Sequence, residues 1–223
     1  MKSSFFDKSS EEVLKDFNVD KEKGLSSDEV EKRLNEYGEN KLQGKKEKTL
    51  FQMFIGQFKD FLIIILIVAA VVSILLGEIL DGSIILAIVI INAILGVTQE
   101  NKASNALKAL EEMSSPQSKV KRNGKIIEVP SNMLVPGDIV ILEAGDYIPG
   151  DLRLLESINL KIDEAALTGE YVPSEKHAEE ILNSDSGIGD RVNCGFMGTV
   201  VTYGRGLGVI TGTGMNTEMG NIA

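Results

Sequence analysis

The chain has 223 residues, of which 43% are hydrophobic and 25% are charged, so it is long enough for one or two domains with a real core. Its net charge of −10 argues against nucleic acid as a partner, because nucleic-acid-binding surfaces are basic. The single cysteine, Cys194, excludes an intrachain disulfide and argues against a cysteine-based zinc site. We interpret Cys194 as a small buried apolar side chain. The single histidine, His177, lies among charged residues and is predicted to be a solvated loop residue.

Residues 9–42 have the pattern of two short amphipathic helices. Ser9 can cap the first helix, and Ser26 or Ser27 can cap the second. Gly38 follows the second helix at the position where glycine commonly ends helices. No apolar run long enough for a secretory signal is present in residues 1–7. We therefore expect a region of small docking helices followed by a charged linker.

Two uncharged apolar stretches follow, at residues 61–77 and 82–98, separated by a short turn that contains Glu78 and Asp81. Each stretch is a little short of the ~20 residues that a membrane-spanning helix needs, and the first can be lengthened upstream. A charge at the centre of a span costs about 2.5–3.5 kcal/mol, so the two acids are predicted to lie in water. Lysines flank the pair and are absent from the turn, which predicts that both ends are cytoplasmic. The alternative is a buried helical hairpin in a soluble protein.

The second apolar stretch keeps helical spacing through Met113, and Pro116 then ends it. One long helix is therefore expected to leave the membrane as a cytoplasmic stalk. Beyond it the period becomes that of strands, with a hairpin predicted around Asn123-Gly124. Further short strands are predicted at residues 139–142, 152–155, 194–203 and 207–210, which together indicate a compact barrel or jelly-roll domain. The glycines of residues 204–214 complete no nucleotide-binding motif, and we interpret them as sheet turns and bulges.

The candidate site is the tripeptide Thr168-Gly169-Glu170. A glycine between a hydroxyl group and a carboxylate makes a tight polar turn that can push the carboxylate out from a domain surface. Gly169 also permits backbone conformations closed to other residues and a close approach by a partner. Taken alone, the tripeptide is a very weak signal, and an ordinary surface turn is the favoured interpretation.

Four motifs give the tripeptide its context. Pro136-Gly137-Asp138, the run at residues 145–153, Asp163-Glu164 with Thr168-Gly169-Glu170, and the run at residues 211–220 follow one another in an order that resembles P-type cation-transporting ATPases. The closest similarity is to the type II branch, which includes calcium pumps and sodium/potassium pumps. Stretches within residues 24–42 resemble the amino-terminal domain of that branch, and stretches within residues 92–100 resemble the second helix of calcium pumps.

The resemblance implies a mixed α and β fold with small N-terminal helices, a two-helix transmembrane hairpin with a cytoplasmic stalk, and a distorted β jelly-roll actuator domain. The implied divisions are N-terminal cytoplasmic helices at 1–48, the first transmembrane helix at 49–77, an extracytoplasmic turn at 78–81, the second transmembrane helix and stalk at 82–115, and the actuator domain at 116–223.

The resemblance also implies a reaction. Such pumps transfer phosphate from MgATP to an aspartate and then hydrolyse the acyl phosphate, and Glu170 is implied to orient the attacking water or accept its proton. Thr168 and Gly169 are implied to shape the loop. The family's phosphorylation motif, its nucleotide-binding domain and most of its cation-binding helices are expected beyond Ala223. Mg²⁺ and ATP are thus expected cofactors of the complete pump, whereas this fragment is expected to bind neither and to be inactive alone.

Three hypotheses stay open. The favoured one is a fragment of a calcium pump in the plasma membrane, with membrane lipid and the remaining pump domains as partners. The second is the same machine moving sodium, potassium or protons, because Lys59 stands where well-known calcium pumps tend to carry an acid. The third is a non-enzymatic, membrane-anchored β domain that acts as a binding module.

Overall fold

The computed structural model describes residues 5–42, 49–113 and 116–222. They form two compact units, one from residues 5–42 and 116–222 and the other from residues 49–113. The helices are α1 (Ser10–Asp16), α2 (Ser27–Tyr37), α3 (Leu50–Gln57), α4 (Phe61–Leu75), α5 (Ile79–Met113), α6 (Ala165–Thr168) and α7 (Glu218–Ile222). The strands are β1 (Gln117–Arg122), β2 (Lys125–Pro130), β3 (Ile139–Glu143), β4 (Asp151–Asp163), β5 (Ser174–Glu175), β6 (Cys194–Gly195) and β7 (Val200–Gly212). The predicted mixed α and β class is confirmed.

Serine side chains cap α1 and α2 as predicted. The Ser9 hydroxyl group accepts a hydrogen bond from the Glu12 N–H at 3.3 Å, and the Glu12 carboxylate accepts one from the Ser9 N–H at 2.9 Å. Ser26, rather than Ser27, caps α2, and Gly38 ends that helix with a φ of 76°. These contacts satisfy backbone groups that a helix leaves unpaired at its ends.

The strands in the described part of the chain form one antiparallel sheet in the order β2-β1-β3-β7-β4-β5, with β6 also paired to β4. The predicted hairpin is present, because β1 and β2 pair from Arg122–Lys125 outward around Asn123 and Gly124. The register of the long β4–β7 pair shifts at several points. Such bulges bend strands and increase their twist, which distorts the sheet.

The sheet is covered on both faces. Successive residues of β3 alternate between the two sides, so Val140 belongs to a large apolar cluster on one face and Ile139 to a second cluster on the other. Val13 of α1 lies in that second cluster and is fully buried. Helix α1 therefore packs on the sheet and completes its core.

The two long strands differ from the short segments that the sequence predicts. Residues 152–155 and the residues after them form one continuous strand, β4, and most of residues 194–210 form β7. Glycines in β7 lie where β4 comes close: a Cβ atom on Gly204 would lie 2.2 Å from the Asn159 carbonyl oxygen. These glycines therefore permit close strand contact and do not end the strand.

The second unit contains helices of membrane-spanning character. Helix α5 is long and apolar enough to cross a membrane, and it continues without a break to Met113. It packs closely against α4, because a Cβ atom on Gly82 would lie 2.8 Å from the Ala70 carbonyl oxygen. Helix α5 also begins at Ile79. Most of the residues expected to form an extracytoplasmic turn at 78–81 therefore lie in the first helical turn of α5.

The first apolar segment differs from the single helix expected over residues 49–77. Helices α3 and α4 meet at an angle of 67°. They are long and apolar enough to span a membrane only when the two helices are taken together. Asp60 lies at the break and caps α4, since its carboxylate accepts a hydrogen bond from the Leu62 N–H at 2.8 Å. A new N-terminal cap inside an apolar run is the local cause of the break.

Candidate active-site loop

The Thr168-Gly169-Glu170 loop connects the end of β4 to the short strand β5. Helix α6 occupies its first part, and the carboxylate of Asp163, two residues before α6 begins, accepts a hydrogen bond from the Ala165 N–H at 3.0 Å. Leu167 of α6 packs against a cluster formed by Phe6, Cys194 and Phe196. The inner side of the loop is therefore attached to the core, and its tip extends from the domain.

Glu170 lies at the exposed tip, and its backbone is held by Thr168. The Thr168 hydroxyl group accepts a hydrogen bond from the Glu170 N–H at 3.3 Å and donates one to the Glu164 carbonyl oxygen at 3.1 Å. Since the Glu164 carbonyl oxygen also accepts from the Leu167 and Thr168 N–H groups, it is the anchor for this side of the loop. Glu170 is therefore an exposed acidic residue on a backbone that these hydrogen bonds anchor.

Gly169 ends α6 in the left-handed region, with a φ of 78°. A residue with a side chain adopts this conformation at a cost, so the turn itself favours glycine. A Cβ atom at this position would meet nothing within 4 Å. The glycine therefore serves the backbone conformation and leaves open space beside Glu170.

A buried ion pair lies directly beneath the loop. The Glu164 carboxylate is 2.7 Å from the Lys176 ammonium group, and the two side chains are 3% and 0% exposed. Lys176 also donates a hydrogen bond to the Arg191 carbonyl oxygen at 3.3 Å and lies 5.7 Å from the centre of the Phe196 ring. The pair joins the residue before α6 to the residue after β5, and so connects the two ends of the loop.

Burial raises the pKa of the Glu164 carboxyl group, while the nearby Lys176 ammonium group opposes that rise. The charge of Glu170 adds a smaller upward contribution. Burial also raises the pKa of the Cys194 thiol to about 12, so this cysteine is a neutral apolar group, as predicted from the sequence. His177 is half-buried, and its backbone N–H donates a hydrogen bond to the Val192 carbonyl oxygen. This residue is therefore less solvated than expected.

Two large apolar side chains follow Glu170 directly. Tyr171 is 95% exposed and Val172 is 78% exposed, which is unusual for a well-packed loop.

Among the residues that the structure describes, no three His, Cys, Asp or Glu side chains come together as a metal site requires. The described residues thus present an exposed Glu170 on an anchored loop.

Comparison with known proteins decides the family. Residues 112–223 match the family described as "P-type ATPase actuator domain", and residues 5–73 match "Cation transporter/ATPase, N-terminus". The chain belongs to the P-type ATPase family. The candidate loop lies inside the segment that matches the actuator domain of these ATPases.

Individual relatives agree with this assignment. The chain is 47% identical to "Calcium-transporting ATPase 1" of Bacillus cereus over 99% of its own length, and 45% identical to "Calcium-transporting ATPase" of Bacillus subtilis over 95%. It is 38% identical over 90% of its length to the "Sodium/potassium exporting P-type ATPase cta3" of Schizosaccharomyces pombe. The chain spans about a quarter of the length of the two bacterial relatives, at 25% and 24%, and 20% of the yeast protein.

The structure adds two residues to the candidate site of this P-type ATPase segment. Glu164 and Lys176 stand within the motif region in the sequence, but their spacing gives no sign that they meet. One signal was available, which is that the two side chains carry opposite charges. The two side chains meet because β5 pairs with β4 through Ser174 and Glu175. A strand of two residues has no sequence pattern that would predict this pairing.

Proposed function

We propose that this chain is the amino-terminal part of an ATP-driven calcium pump, and that its actuator domain delivers Glu170 to an aspartyl phosphate. The observation that carries the proposal is the outward Glu170 carboxylate on a loop anchored through Thr168 and Glu164. The match to the actuator-domain family and the bacterial relatives named as calcium-transporting ATPases support it.

The chemistry assigned to Glu170 is the hydrolysis of the acyl phosphate. A water molecule attacks phosphorus, the bond between phosphorus and the aspartyl oxygen breaks, and the products are inorganic phosphate and the aspartate carboxylate. Glu170 orients the water and accepts the proton that it loses, a role worth about 10²–10⁴-fold in rate. Gly169 supplies the left-handed turn that precedes Glu170.

The remaining parts of the proposal concern the complete pump. In this proposal, ATP and Mg²⁺ act in the phosphorylation and nucleotide-binding domains of the complete pump. The apolar helices lie in the membrane, with both ends of the chain in the cytoplasm, and the plasma membrane is the proposed location. Rotation of the actuator domain would bring the loop to the phosphorylated aspartate and act on the membrane helices.

A second candidate is the same machine with a different cation. Lys59 immediately precedes the cap of α4, at a position where the sequence led us to expect an acid in a calcium pump. The yeast relative named as a sodium/potassium exporter gives this candidate independent support. Both candidates share the proposed reaction of Glu170.

The test uses the full-length protein in membrane vesicles with radiolabelled ATP. A calcium pump is expected to form an acid-stable phosphoenzyme that requires Ca²⁺, and to accumulate Ca²⁺ in the vesicles. A phosphoenzyme that requires Na⁺ or K⁺ instead would select the second candidate. A protein that forms no phosphoenzyme with any of these ions would overturn both and favour a membrane-anchored binding module.

A further inference from the structure

We infer that the buried Glu164–Lys176 ion pair is a positioning element for Glu170, which holds the loop in the geometry needed for hydrolysis. This inference rests on the function proposed above and assigns two further residues to it. Neither side chain reaches the exposed tip, so both act through the backbone of the loop and not on the substrate.

A continuous set of contacts connects the pair to Glu170. The Lys176 ammonium group holds the Glu164 carboxylate at 2.7 Å. The carbonyl oxygen of Glu164 then accepts a hydrogen bond from the Thr168 hydroxyl group at 3.1 Å, and that hydroxyl group accepts one from the Glu170 N–H at 3.3 Å. A shift of Glu164 would therefore move the backbone that carries the reacting carboxylate.

Backbone contacts and the packing of Leu167 also fix the base of the loop. Strand β5 contributes two residue pairs with β4, Ser174 with Ile162 and Glu175 with Lys161. Glu164 itself makes no side-chain cap to α6, a helix of four residues, although it occupies the capping position. Its side chain turns inward to Lys176 instead. The ion pair is thus the side-chain connection that joins Glu164, before α6, to Lys176, after β5.

Lys176 is itself held from outside the loop. Its ammonium group contacts the Arg191 carbonyl oxygen at 3.3 Å and faces the Phe196 ring at 5.7 Å. Arg191 is fixed in turn by Glu218 at 3.1 Å and by the Phe6 ring, 4.2 Å from its guanidinium carbon. Lys176 therefore also connects the base of the loop to the segments that contain Arg191 and Phe196.

The geometry of an ion pair suits this role better than an apolar contact would. A buried pair contributes little net stability, since both charges lose their hydration, but its attraction depends strongly on where the two groups lie. Placement matters for catalysis, because an error on the order of 1 Å can reduce a rate ~10²-fold. The pair therefore contributes little net stability but defines the position of the loop.

The experiment measures phosphoenzyme formation and decay in the full-length protein carrying Glu164→Gln, Lys176→Met or both changes. We expect formation to be unchanged and decay to slow by about 10–100-fold in each variant. Lys176→Arg, which keeps a cation able to reach Glu164, is expected to decay faster than Lys176→Met. The double variant leaves no isolated buried charge, so it keeps the test valid if a single variant fails to fold.

A second buried pair in the same domain provides the matched control. The Arg122 guanidinium group lies 2.6 Å from the Asp138 carboxylate, with side-chain exposures of 10% and 0%, on β1 and the turn before β3. Arg122→Met and Asp138→Asn are expected to lower the melting temperature without slowing decay. The comparison separates loss of position from general loss of stability.

Three results would overturn the inference. The first is a decay rate unchanged in the Glu164 and Lys176 variants while Glu170→Gln slows decay, which leaves the proposed function intact. The second is equal slowing in the Arg122 or Asp138 control at an equal loss of melting temperature. The third is the absence of any phosphoenzyme in the unchanged protein, which removes the proposed function as well.

Discussion

The Lys176 ammonium group lies 2.7 Å from the Glu164 carboxylate, and both side chains are withdrawn from solvent. Removing one member of such a pair leaves an uncompensated buried charge, a change that costs about 3–5 kcal/mol of stability. The pair lies beneath the exposed loop that carries Glu170. Stability and hydrolysis are therefore expected to respond together when it is broken.

Lys176→Met is expected to make the stability of the protein depend on pH. Burial already raises the pKa of Glu164 above its ordinary value of 4.5, and the variant loses the cation that opposes this rise. An acid whose pKa is raised in the folded state contributes stability that is present at low pH and lost as pH rises through the folded pKa. The variant's loss of melting temperature relative to the unchanged protein should thus be larger near pH 8 than near pH 5. In Glu164→Gln/Lys176→Met this difference should disappear.

Glu170→Gln is expected to leave phosphorylation of the full-length pump intact and to slow dephosphorylation by about 10²–10⁴-fold. The amide keeps the shape of the side chain but cannot accept a proton from water. Phosphoenzyme decay after a chase with unlabelled ATP measures the effect. Glu175→Gln, an exposed acid on β5 at the end of the same loop, is the control and should decay normally. Equal decay in both variants would contradict the role given to Glu170.

Gly169→Ala separates backbone strain from obstruction of the loop. Gly169 has a φ of 78°, and Gly124, in the hairpin turn, has a φ of 70° with equally open space around it. Alanine at either position is expected to cost about 1–2 kcal/mol through the left-handed conformation. Only Gly169→Ala is expected to slow phosphoenzyme decay, because its methyl group enters the space beside Glu170. If Gly124→Ala slows decay to the same extent, the open space at Gly169 has no catalytic role.

The local features of this fold could be predicted from the sequence, whereas several features that depend on tertiary contacts could not. Helix caps such as Ser9 and the turn at Asn123-Gly124 were predictable, because each depends on residues a few positions apart. The break at Asp60 was not predicted. Hydropathy does not distinguish one continuous helix from two helices, the second of which begins at a new N-terminal cap within an apolar run. The glycines of residues 204–214 were predicted to be sheet turns and bulges; those in β7 lie within one long strand whose register with β4 shifts, and they permit close contact with β4.

The candidate loop shows the same division. The tripeptide and its family were evident from motif order, whereas the meeting of Glu164 and Lys176 was not. Their contact requires the chain to pass through α6, the exposed tip and β5 and then return, and no periodic pattern encodes that path. Which residues are withdrawn from water is decided by the packing of the segments around Phe6 and Phe196.

Asn40→Ala is expected to destabilise the actuator unit by about 3 kcal/mol, because it leaves several buried groups without partners. The Asn40 amide donates hydrogen bonds to the carbonyl oxygens of Ser131 and Pro149, and its oxygen accepts one from the Gly214 N–H. This single side chain joins the N-terminal segment to three separate turns. Thermal unfolding of the detergent-solubilised protein measures the loss, with the exposed Glu39→Ala as the neighbouring control. A melting temperature equal to that of the control would contradict this role.

Cys194 is expected to resist alkylation in the folded protein. With a pKa of about 12, its thiol is almost entirely protonated at neutral pH, and the thiolate is the reactive form. Its side chain is also buried beside Phe196 and Leu167, beneath the candidate loop. Iodoacetamide labelling followed by mass spectrometry of the peptide containing Cys194 should show little modification before denaturation and full modification after it. Labelling should increase in Lys176→Met if the ion pair holds this part of the domain closed, and Arg122→Met provides the comparison. Rapid labelling of the unchanged protein would mean that the core beneath the loop opens readily, which is incompatible with a rigidly positioned Glu170.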